Sequence, residues 1–213
     1  MGRWQPDARG RLATAAMELY SERGYDQTTV AEIAKRAGLT ERTFFRHYAD
    51  KREVLFGGAG ELQQLFTDAV SEAPPSAAPI DAVAAGLEAL ADSFKGRRDF
   101  ARQRQAVITS NAELQERELI KLASMSAALA EALRGRGVGA PAASLAAEAG
   151  VAVFKVGFER WIAEGTEDPE GTDSTEGTQG TESTQDEEAG MGPLLRDALD
   201  ELKAVIVGRG EAR

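Results

Sequence analysis

Residues 28–51 read TTVAEIAKRAGLTERTFFRHYADK, a stretch that predicts two short helices joined by a tight turn. Thr29 stands three residues before Glu32, the spacing of a capping box, in which each side chain satisfies a free backbone N–H at a helix start. Apolar residues then recur at helical spacing until Gly38, and glycine suits the positive φ that ends many helices. Thr40 is a favoured N-cap for the second helix.

The second predicted helix, Glu41–His47, has the composition of an exposed helix rather than of a core helix. Phe44 can point inward, but the other side chains are too polar to be buried together. Thr43, Arg46 and His47 stand at positions i, i+3 and i+4, so they share one face. A helix-turn-helix places such a helix in the major groove of DNA, which is about 12 Å wide. The stretch therefore predicts a DNA-reading helix.

At these residues the chain resembles the tetracycline-repressor (TetR) family of transcriptional regulators. The resemblance covers roughly Ala8 to Phe56 by motif and, beyond that, rests on length and helix pattern. It implies an all-α fold, with a three-helix helix-turn-helix DNA-binding head in residues 1–50 and an effector-binding and dimerisation body in residues 51–213. The matching segments are Gly24–Ala34, Ala37–Thr40, Thr43–Tyr48 and Asp50–Lys51.

The resemblance also implies which residues contact DNA. By position these are Thr29, Glu41, Arg42, Thr43, Phe45, Arg46, His47 and Lys51. From residue type, Arg42 can hold a guanine or a phosphate, and Phe45 can pack on a thymine methyl group. The role of Glu41 stays open between accepting a hydrogen bond from a cytosine amino group and repelling the DNA backbone.

The composition excludes several classes of protein. The chain has no Cys and one His, His47, without neighbours at metal-ligand spacing, and it has no Gly-x-Ser-x-Gly elbow. We therefore expect neither an enzyme nor a cofactor or metal site. No segment approaches 18 uncharged apolar residues, and the N-terminus lacks the apolar region of a signal peptide. These features predict a cytoplasmic protein with no membrane partner.

The net charge of −10 is concentrated in one segment. Residues 164–190 contain ten acidic residues and no Lys or Arg, and they lack large apolar side chains. Such a segment is predicted to be a disordered acidic loop. It is either a solvated insertion or a tract that competes with DNA for the head, which has a net charge of +2 over residues 1–56. Residues 1–7 are predicted to be a mobile arm. Its Arg3, with Arg9 and Arg11 at the start of the first helix, either reaches phosphates or a minor groove or is solvated.

Apolar residues at helical spacing predict further helices in the body. The predicted helices are Ile80–Lys95, Asp99–Thr109, Ala112–Leu133, Ala142–Ala163 and Leu194–Val207, after a fourth helix that Gly57–Gly60 interrupts. By resemblance these helices enclose a small-molecule effector. The candidate effector-binding residues are Phe94, Phe100, Arg104, Val107, Met125, Phe154, Phe158 and Trp161. Aromatic residues at this spacing also fit an ordinary core.

One short recognition helix makes too few contacts for specificity, so a homodimer on a palindromic operator is expected. The apolar stripes of the last two helices are the predicted dimer surface, although such stripes can also close a monomer core. The sequence thus predicts a ligand-responsive regulator, with repression favoured over activation. A helical-body enzyme and a helix-turn-helix module without DNA specificity are the alternatives. Neither the effector nor the operator sequence and its regulated genes follow from the sequence.

Overall fold

The computed structural model describes residues 7–164 and 190–208. All regular structure within these residues is helical, which confirms the predicted all-α class. The helices are α1 (Ala8–Arg23), α2 (Val30–Arg36), α3 (Glu41–His47), α4 (Glu53–Phe56), α5 (Ala59–Glu72), α6 (Pro79–Ser93), α7 (Arg98–Thr109), α8 (Ala112–Gly135), α9 (Ala140–Ala163) and α10 (Met191–Val207). The predicted arm and almost all of the predicted acidic loop lie outside the described residues.

The helix bounds follow the sequence signals closely. The predicted glycine interruption of the fourth helix is confirmed, because Gly57 and Gly58 separate α4 from α5. The start of α10 differs from the prediction, since Pro193 lies inside the first turn instead of before it. Proline is tolerated there because the first four backbone N–H groups of a helix have no partner within the helix.

The chain divides into two compact units. The first unit comprises residues 1–64 and 99–125, and the second comprises residues 65–98 and 126–213. Helices α5 and α8 therefore each contribute to both units. The predicted division at residue 50 separates DNA binding from effector binding by function, and it stays a prediction.

The first unit packs α1 across α2, α3 and α4. Leu12 and Leu19 of α1 are buried, and they pack with Ile33 of α2 and Phe44 of α3. Ile108 and other residues of α7 and α8 complete the same core. The helix-turn-helix is therefore supported by later helices as well as by the three helices of the head.

Ion pairs reinforce the first unit at the start of α4. Arg52 pairs with Glu113 of α8, and Glu53 pairs with Arg117 and Lys121 of the same helix. These side chains are partly exposed, so each pair contributes little alone. Together they link the end of the helix-turn-helix to α8.

The second unit packs α9 against α6 and α10. Glycines allow the close approaches: a Cβ atom on Gly86 would lie 2.2 Å from the Phe66 ring, and one on Gly157 would lie 2.5 Å from the side chain of Leu195. Phe66 is fully buried and also approaches Gly150 of α9. Small residues at these crossings therefore determine how closely the helices of the second unit approach one another.

Gly86→Ala is expected to destabilise the second unit by about 1–3 kcal/mol, because the added methyl group overpacks the site against Phe66. Thermal unfolding followed by circular dichroism measures the change. The matched control is Gly135→Ala, since a Cβ atom on Gly135 meets no atom within 4 Å. We expect this control to be neutral or stabilising by up to about 1 kcal/mol. Equal unfolding temperatures for the two variants would contradict the close crossing.

Helix α9 is long and apolar enough to cross a membrane by length and composition, the one such helix among residues 7–164 and 190–208. In the structure it is a packed helix of the second unit. Ala147, Val151 and Trp161 are buried against neighbouring helices. Glu148, Lys155 and Glu159 are exposed along its outer surface. Packing within the second unit therefore accounts for part of the apolar character of α9.

Candidate nucleic-acid interface

Helix α2 begins with the predicted capping box. The backbone N–H of Glu32 donates to the Thr29 hydroxyl at 3.3 Å, and the backbone N–H of Thr29 donates to the Glu32 carboxylate at 2.9 Å. This backbone hydrogen bond, followed by one from the Thr29 hydroxyl, holds the pKa of Glu32 below its ordinary value. These hydrogen bonds between residues three positions apart define the start of α2.

The turn between α2 and α3 is a Schellman motif. Gly38 has a φ of 65°, the backbone N–H of Gly38 donates to the Lys35 carbonyl at 3.0 Å, and that of Leu39 donates to the Ala34 carbonyl at 2.8 Å. These bonds satisfy two carbonyls at the end of α2. The Thr40 hydroxyl then caps α3 by accepting from the backbone N–H of Thr43 at 3.2 Å. The turn predicted from the sequence is confirmed.

Helix α3 presents one apolar side chain to the core and its polar side chains to solvent. Phe44 is 0% exposed and lies edge-on to Phe45, with ring centroids 5.5 Å apart. Tyr48, the C-cap residue, is also buried, and its hydroxyl donates to the Arg9 carbonyl at 3.2 Å. By contrast, Glu41, Arg42, Phe45, Arg46 and His47 are exposed, while Thr43 is half-buried.

A shallow open cleft of about 620 Å³ lies on the outward side of α3. Its lining combines aliphatic and aromatic carbon with two guanidinium groups, and Phe45 is 56% exposed there. The residues that line it are Thr40, Arg42, Thr43, Phe45 and Arg46. Four of these five are predicted DNA contacts. Thr40 was not predicted, although its N-cap position next to the reading helix was visible in the sequence.

The arginines of the first 64 residues differ in whether they have an acidic partner. Arg9 pairs with Glu61, Arg23 with Glu32, Arg36 with Glu18 and Glu22, and Arg52 with Asp50 and Glu113. By contrast, within the described part of the chain Arg42 and Arg46 have no carboxylate partner. The guanidinium of Arg46 lies 3.4 Å from a ring nitrogen of His47. Helix α3 thus carries two guanidinium groups that no described carboxylate neutralises.

Two arginines that the sequence offered as phosphate contacts bond to the protein instead. Arg9 donates to Glu61 and to the Gly57 carbonyl, and Arg11 donates to the Ala37 carbonyl. These contacts tie the start of α1 to α5 and to the turn before α3. Their role in the structure is therefore to position the helices of the head.

Lys51 also has partners inside the protein. Its ammonium group donates to the carbonyls of Tyr25 at 2.8 Å and of Thr28 at 3.0 Å, and it lies 4.2 Å from the centroid of the Tyr25 ring. A third carbonyl, that of Asp26, is 3.4 Å away. Lys51 would have to exchange these bonds to hold a phosphate, so it differs from the free cations of α3.

Lys51→Met is expected to destabilise the first unit by about 1–3 kcal/mol, because carbonyls that accept from a charged donor lose it. The measurement is chemical denaturation, with Lys35→Met as the control. Lys35 is an exposed lysine of α2, so its loss should change stability by less than about 0.5 kcal/mol. A loss of DNA affinity in Lys51→Met at unchanged stability would instead support a phosphate contact.

The predicted effector-binding residues fall in both compact units. Phe94, Phe154, Phe158 and Trp161 form one ring cluster in the second unit. The other four belong to the first unit. There, Val107 and Met125 are buried, whereas Phe100 is exposed.

The fourth of these first-unit residues, Arg104, is bonded within the protein. It donates to the Leu55 carbonyl at 2.7 Å and to Glu118 at 3.2 Å, and its guanidinium lies 5.1 Å from the Phe56 ring. Burial lowers the pKa of this group, although Glu118 opposes the shift. The guanidinium of Arg104 is therefore occupied by internal contacts, and its proposed role in effector binding stays a prediction.

Comparisons with known proteins identify both parts of the chain. Residues 12–56 match the family model described as bacterial regulatory proteins, tetR family, and residues 77–174 match the MftR C-terminal domain. The chain belongs to the TetR family of transcriptional regulators. The family predicted from the helix-turn-helix residues is confirmed.

Curated relatives of this TetR-family chain are also transcriptional regulators. TcmR of Streptomyces glaucescens is 34% identical over 82 residues, which cover 38% of this chain and 36% of TcmR. The putative mycofactocin biosynthesis regulator MftR of Mycobacterium tuberculosis is 29% identical over 119 residues, which cover 54% of this chain and 58% of MftR. The chain therefore spans about a third to three fifths of the length of these two relatives.

Solved structures share the fold of this TetR-family chain. FadR of Bacillus subtilis in complex with stearoyl-CoA superposes with a TM-score of 0.56 at 18% identity, covering 91% of this chain and 96% of FadR. SmeT, the repressor of a Stenotrophomonas maltophilia multidrug efflux pump, superposes with a TM-score of 0.54 at 19% identity, covering 93% of this chain and 89% of SmeT. At these identities the comparison shows a shared fold and nothing further.

Proposed function

We propose that this TetR-family regulator is a cytoplasmic repressor that binds a palindromic operator as a homodimer and is released by a small-molecule effector. The observation that carries the proposal is the exposure of the two arginines of α3 and their lack of ion pairs within the described residues. Among the residues that the structure describes, Arg42 and Arg46 are exposed and have no carboxylate partner, on a helix whose Phe44 is buried in the core, whereas other arginines of the head are ion-paired. Such a helix is available to a polyanion and rigid enough to read a groove.

The residues of α3 suit different parts of the DNA surface. Arg42 and Arg46 can each make a bidentate contact to guanine, and the exposed ring of Phe45 can pack on a thymine methyl group. Thr43 and His47 complete the same side of the helix, with Thr40 at its edge. Phosphate contacts release counterions, so the affinity should fall linearly with the logarithm of salt concentration.

The proposed dimer surface is an exposed stripe of small and apolar residues on α9. Leu145 is 73% exposed and Val156 is 41% exposed, and Ala149 and Ala152 lie between them at helical spacing. Side chains this small let two helices approach closely. The predicted α10 stripe is divided: Leu195 and Leu199 are buried within the chain, whereas Val205, Ile206 and Val207 near its C-terminal end are exposed. Free apolar surface is therefore present on both α9 and the end of α10.

Val156→Arg is expected to prevent dimer formation, because it buries an unpaired charge in the proposed interface at a cost of several kcal/mol. Analytical ultracentrifugation should then show monomers, and operator affinity should fall with them, since one recognition helix remains per particle. Ser144→Arg is the matched control, because Ser144 is exposed on the same helix but off the apolar stripe. Dimers of Val156→Arg that are as stable as those of the control would place the interface elsewhere.

An effector site in the helical body is supported by the related structures. FadR of Bacillus subtilis was solved with stearoyl-CoA and SmeT with triclosan, and both share this fold with TM-scores of 0.56 and 0.53. That two neighbours of this fold were solved with small molecules is consistent with an effector that binds among the helices of this chain. Release of DNA would follow if the effector favours the conformation that binds DNA less well.

Selection of bound DNA from a random pool tests the proposed function. The expected result is an enriched palindrome with half-site centres about 34 Å apart, matching two recognition helices related by a two-fold axis. The selected site, measured by gel shift at several salt concentrations, should bind far more tightly than a scrambled site of equal composition. Equal affinity for the two DNAs would reduce the protein to a non-specific binder and overturn the proposal.

A further inference from the structure

Four aromatic rings form a cluster in the second unit, where the end of α6 meets the C-terminal half of α9. The Phe94 ring lies 6.2 Å from Phe154, 5.8 Å from Phe158 and 5.8 Å from Trp161, measured between centroids. Trp161 is 3% exposed, whereas the three phenylalanines are half-buried. The cluster thus has a closed end at Trp161 and ring surface still accessible to solvent.

The guanidinium of Arg98 lies at the closed end of this cluster, next to Trp161. The guanidinium carbon of Arg98, the first residue of α7, lies 5.6 Å from the centroid of the Trp161 ring. The Arg98 side chain is only 9% exposed. A guanidinium held over an indole face keeps its orientation and loses little hydration energy compared with an ammonium group. The buried cation therefore lies next to the aromatic cluster, in contact with its Trp161 ring.

The anion bound to this cation comes from the chain itself. Arg98 donates to the Glu164 carboxylate at 3.0 Å. Glu164 is the C-cap residue of α9, and its side chain is 42% exposed. A carboxylate that reaches a buried guanidinium from a half-open position can be exchanged for another carboxylate without opening the helical core.

We propose that this ring cluster and Arg98 bind a small aromatic carboxylic acid, whose carboxylate takes the place of Glu164 on Arg98. The ligand ring stacks on the half-buried phenylalanines, where offset and edge-to-face arrangements with ring centroids 4.5–7 Å apart are favourable. Only the identification of this ligand class as the effector rests on the proposed function. Binding itself is a property of the free protein.

The charge of Arg98 gives this site its selectivity. Removing the carboxylate from a buried guanidinium without replacing it is costly, so an anionic ligand displaces Glu164 more readily than a neutral one. A planar carboxylate accepts two parallel hydrogen bonds from the guanidinium, whereas a primary amide of the same shape accepts one at its carbonyl oxygen and turns its NH2 group toward the other N–H. The site should therefore discriminate an aryl acid from its amide, although both bury the same ring.

Fluorescence of Trp161 provides a direct test on the full-length protein. The chain has two tryptophans, so Trp4→Phe leaves Trp161 as the only indole. Benzoate, phenylacetate and 3-phenylpropionate are titrated beside their primary amides, with excitation at the red edge of tryptophan absorption. The expected result is a saturable change in Trp161 fluorescence with at least one acid at roughly millimolar concentration. The amide of that acid should bind at least ~10-fold more weakly.

Variants of the two charged groups complete the test. Glu164→Gln removes the internal competitor, so it should strengthen binding of the acid several-fold, whereas Glu159→Gln, an exposed acid on the same helix, should not. Arg98→Gln should abolish the preference for acid over amide. Because Arg98→Gln can also impair folding, the Glu164→Gln comparison decides the outcome. Equal binding of acid and amide, no binding by any of the three acids, or unchanged affinity in Glu164→Gln would overturn the proposal.

The outcome is separable from that of the proposed function, because the titration contains no DNA. Failure of the titration leaves operator binding intact and removes only this site. If the acids bind as expected while operator affinity stays unchanged in their presence, the site stands and release by this ligand class is excluded.

Discussion

Replacing Arg46 with alanine is expected to weaken operator binding by about 2–6 kcal/mol, because a bidentate contact to guanine contributes about 1–3 kcal/mol and a dimer loses two of them. Stability should stay within about 0.5 kcal/mol of the parent, since the side chain is exposed and has no carboxylate partner in the described part of the chain. Gel shift on the selected operator measures the affinity, and thermal unfolding measures the stability.

The matched control for this loss is Arg36→Ala. Arg36 lies on the neighbouring helix α2 and donates to Glu22 at 2.7 Å and to Glu18 at 3.1 Å, so its charge is already neutralised within the protein. Its removal should change affinity by no more than a few fold. If Arg36→Ala and Arg46→Ala weaken binding equally, general surface charge rather than the reading helix holds the DNA. If neither variant loses affinity, α3 is not the contact surface.

Phe44→Ala is expected to destabilise the first unit by about 3–5 kcal/mol, the usual cost of removing a fully buried phenylalanine. The ring is 0% exposed and packs against Tyr48 with centroids 5.6 Å apart. Its loss leaves a cavity under α3, so the reading helix loses its support. Denaturant unfolding should show the lower stability, and operator binding should disappear at temperatures where the head is unfolded.

The adjacent residue is the control for this prediction. Phe45 differs from Phe44 by one position but is 56% exposed. Phe45→Ala should therefore leave stability nearly unchanged while reducing operator affinity, because it removes an apolar contact to DNA and no core packing. The two variants thus distinguish a residue that stabilises α3 from a residue of α3 that is proposed to contact DNA. A large stability loss in Phe45→Ala would contradict the orientation of α3.

Several elements of the head were predictable from the sequence because their geometry depends on neighbouring residues. The capping box joins residues three positions apart, and the Schellman turn joins Gly38 and Leu39 to carbonyls three and five residues earlier. The inward position of Phe44 followed from its isolation among polar side chains. Such short-range bonds form with little loop-closure entropy, so the local sequence specifies them.

The placement of the candidate effector-binding residues was less predictable for the opposite reason. Aromatic residues at helical spacing identified Phe154, Phe158 and Trp161 on one helix, and the structure joins Phe94 to them. The candidates also included Val107, which belongs to the core of the first unit, and Arg104, which donates to Leu55 and Glu118. Periodicity indicates that a side chain faces other helices, but it does not identify which helices these are.

By itself the sequence determined the helical class, the family and the helix that presents polar side chains to solvent. Only the tertiary structure decided which charges remain available: it pairs Arg36 with Glu22 across 14 residues and Arg9 with Glu61 across 52, and it gives Arg42 and Arg46 no carboxylate partner within residues 7–164 and 190–208. The physical reason is the separation along the chain of the groups that interact. Backbone caps and turns are satisfied within a few residues, whereas the partner of a long, flexible cation depends on which helices fold against it.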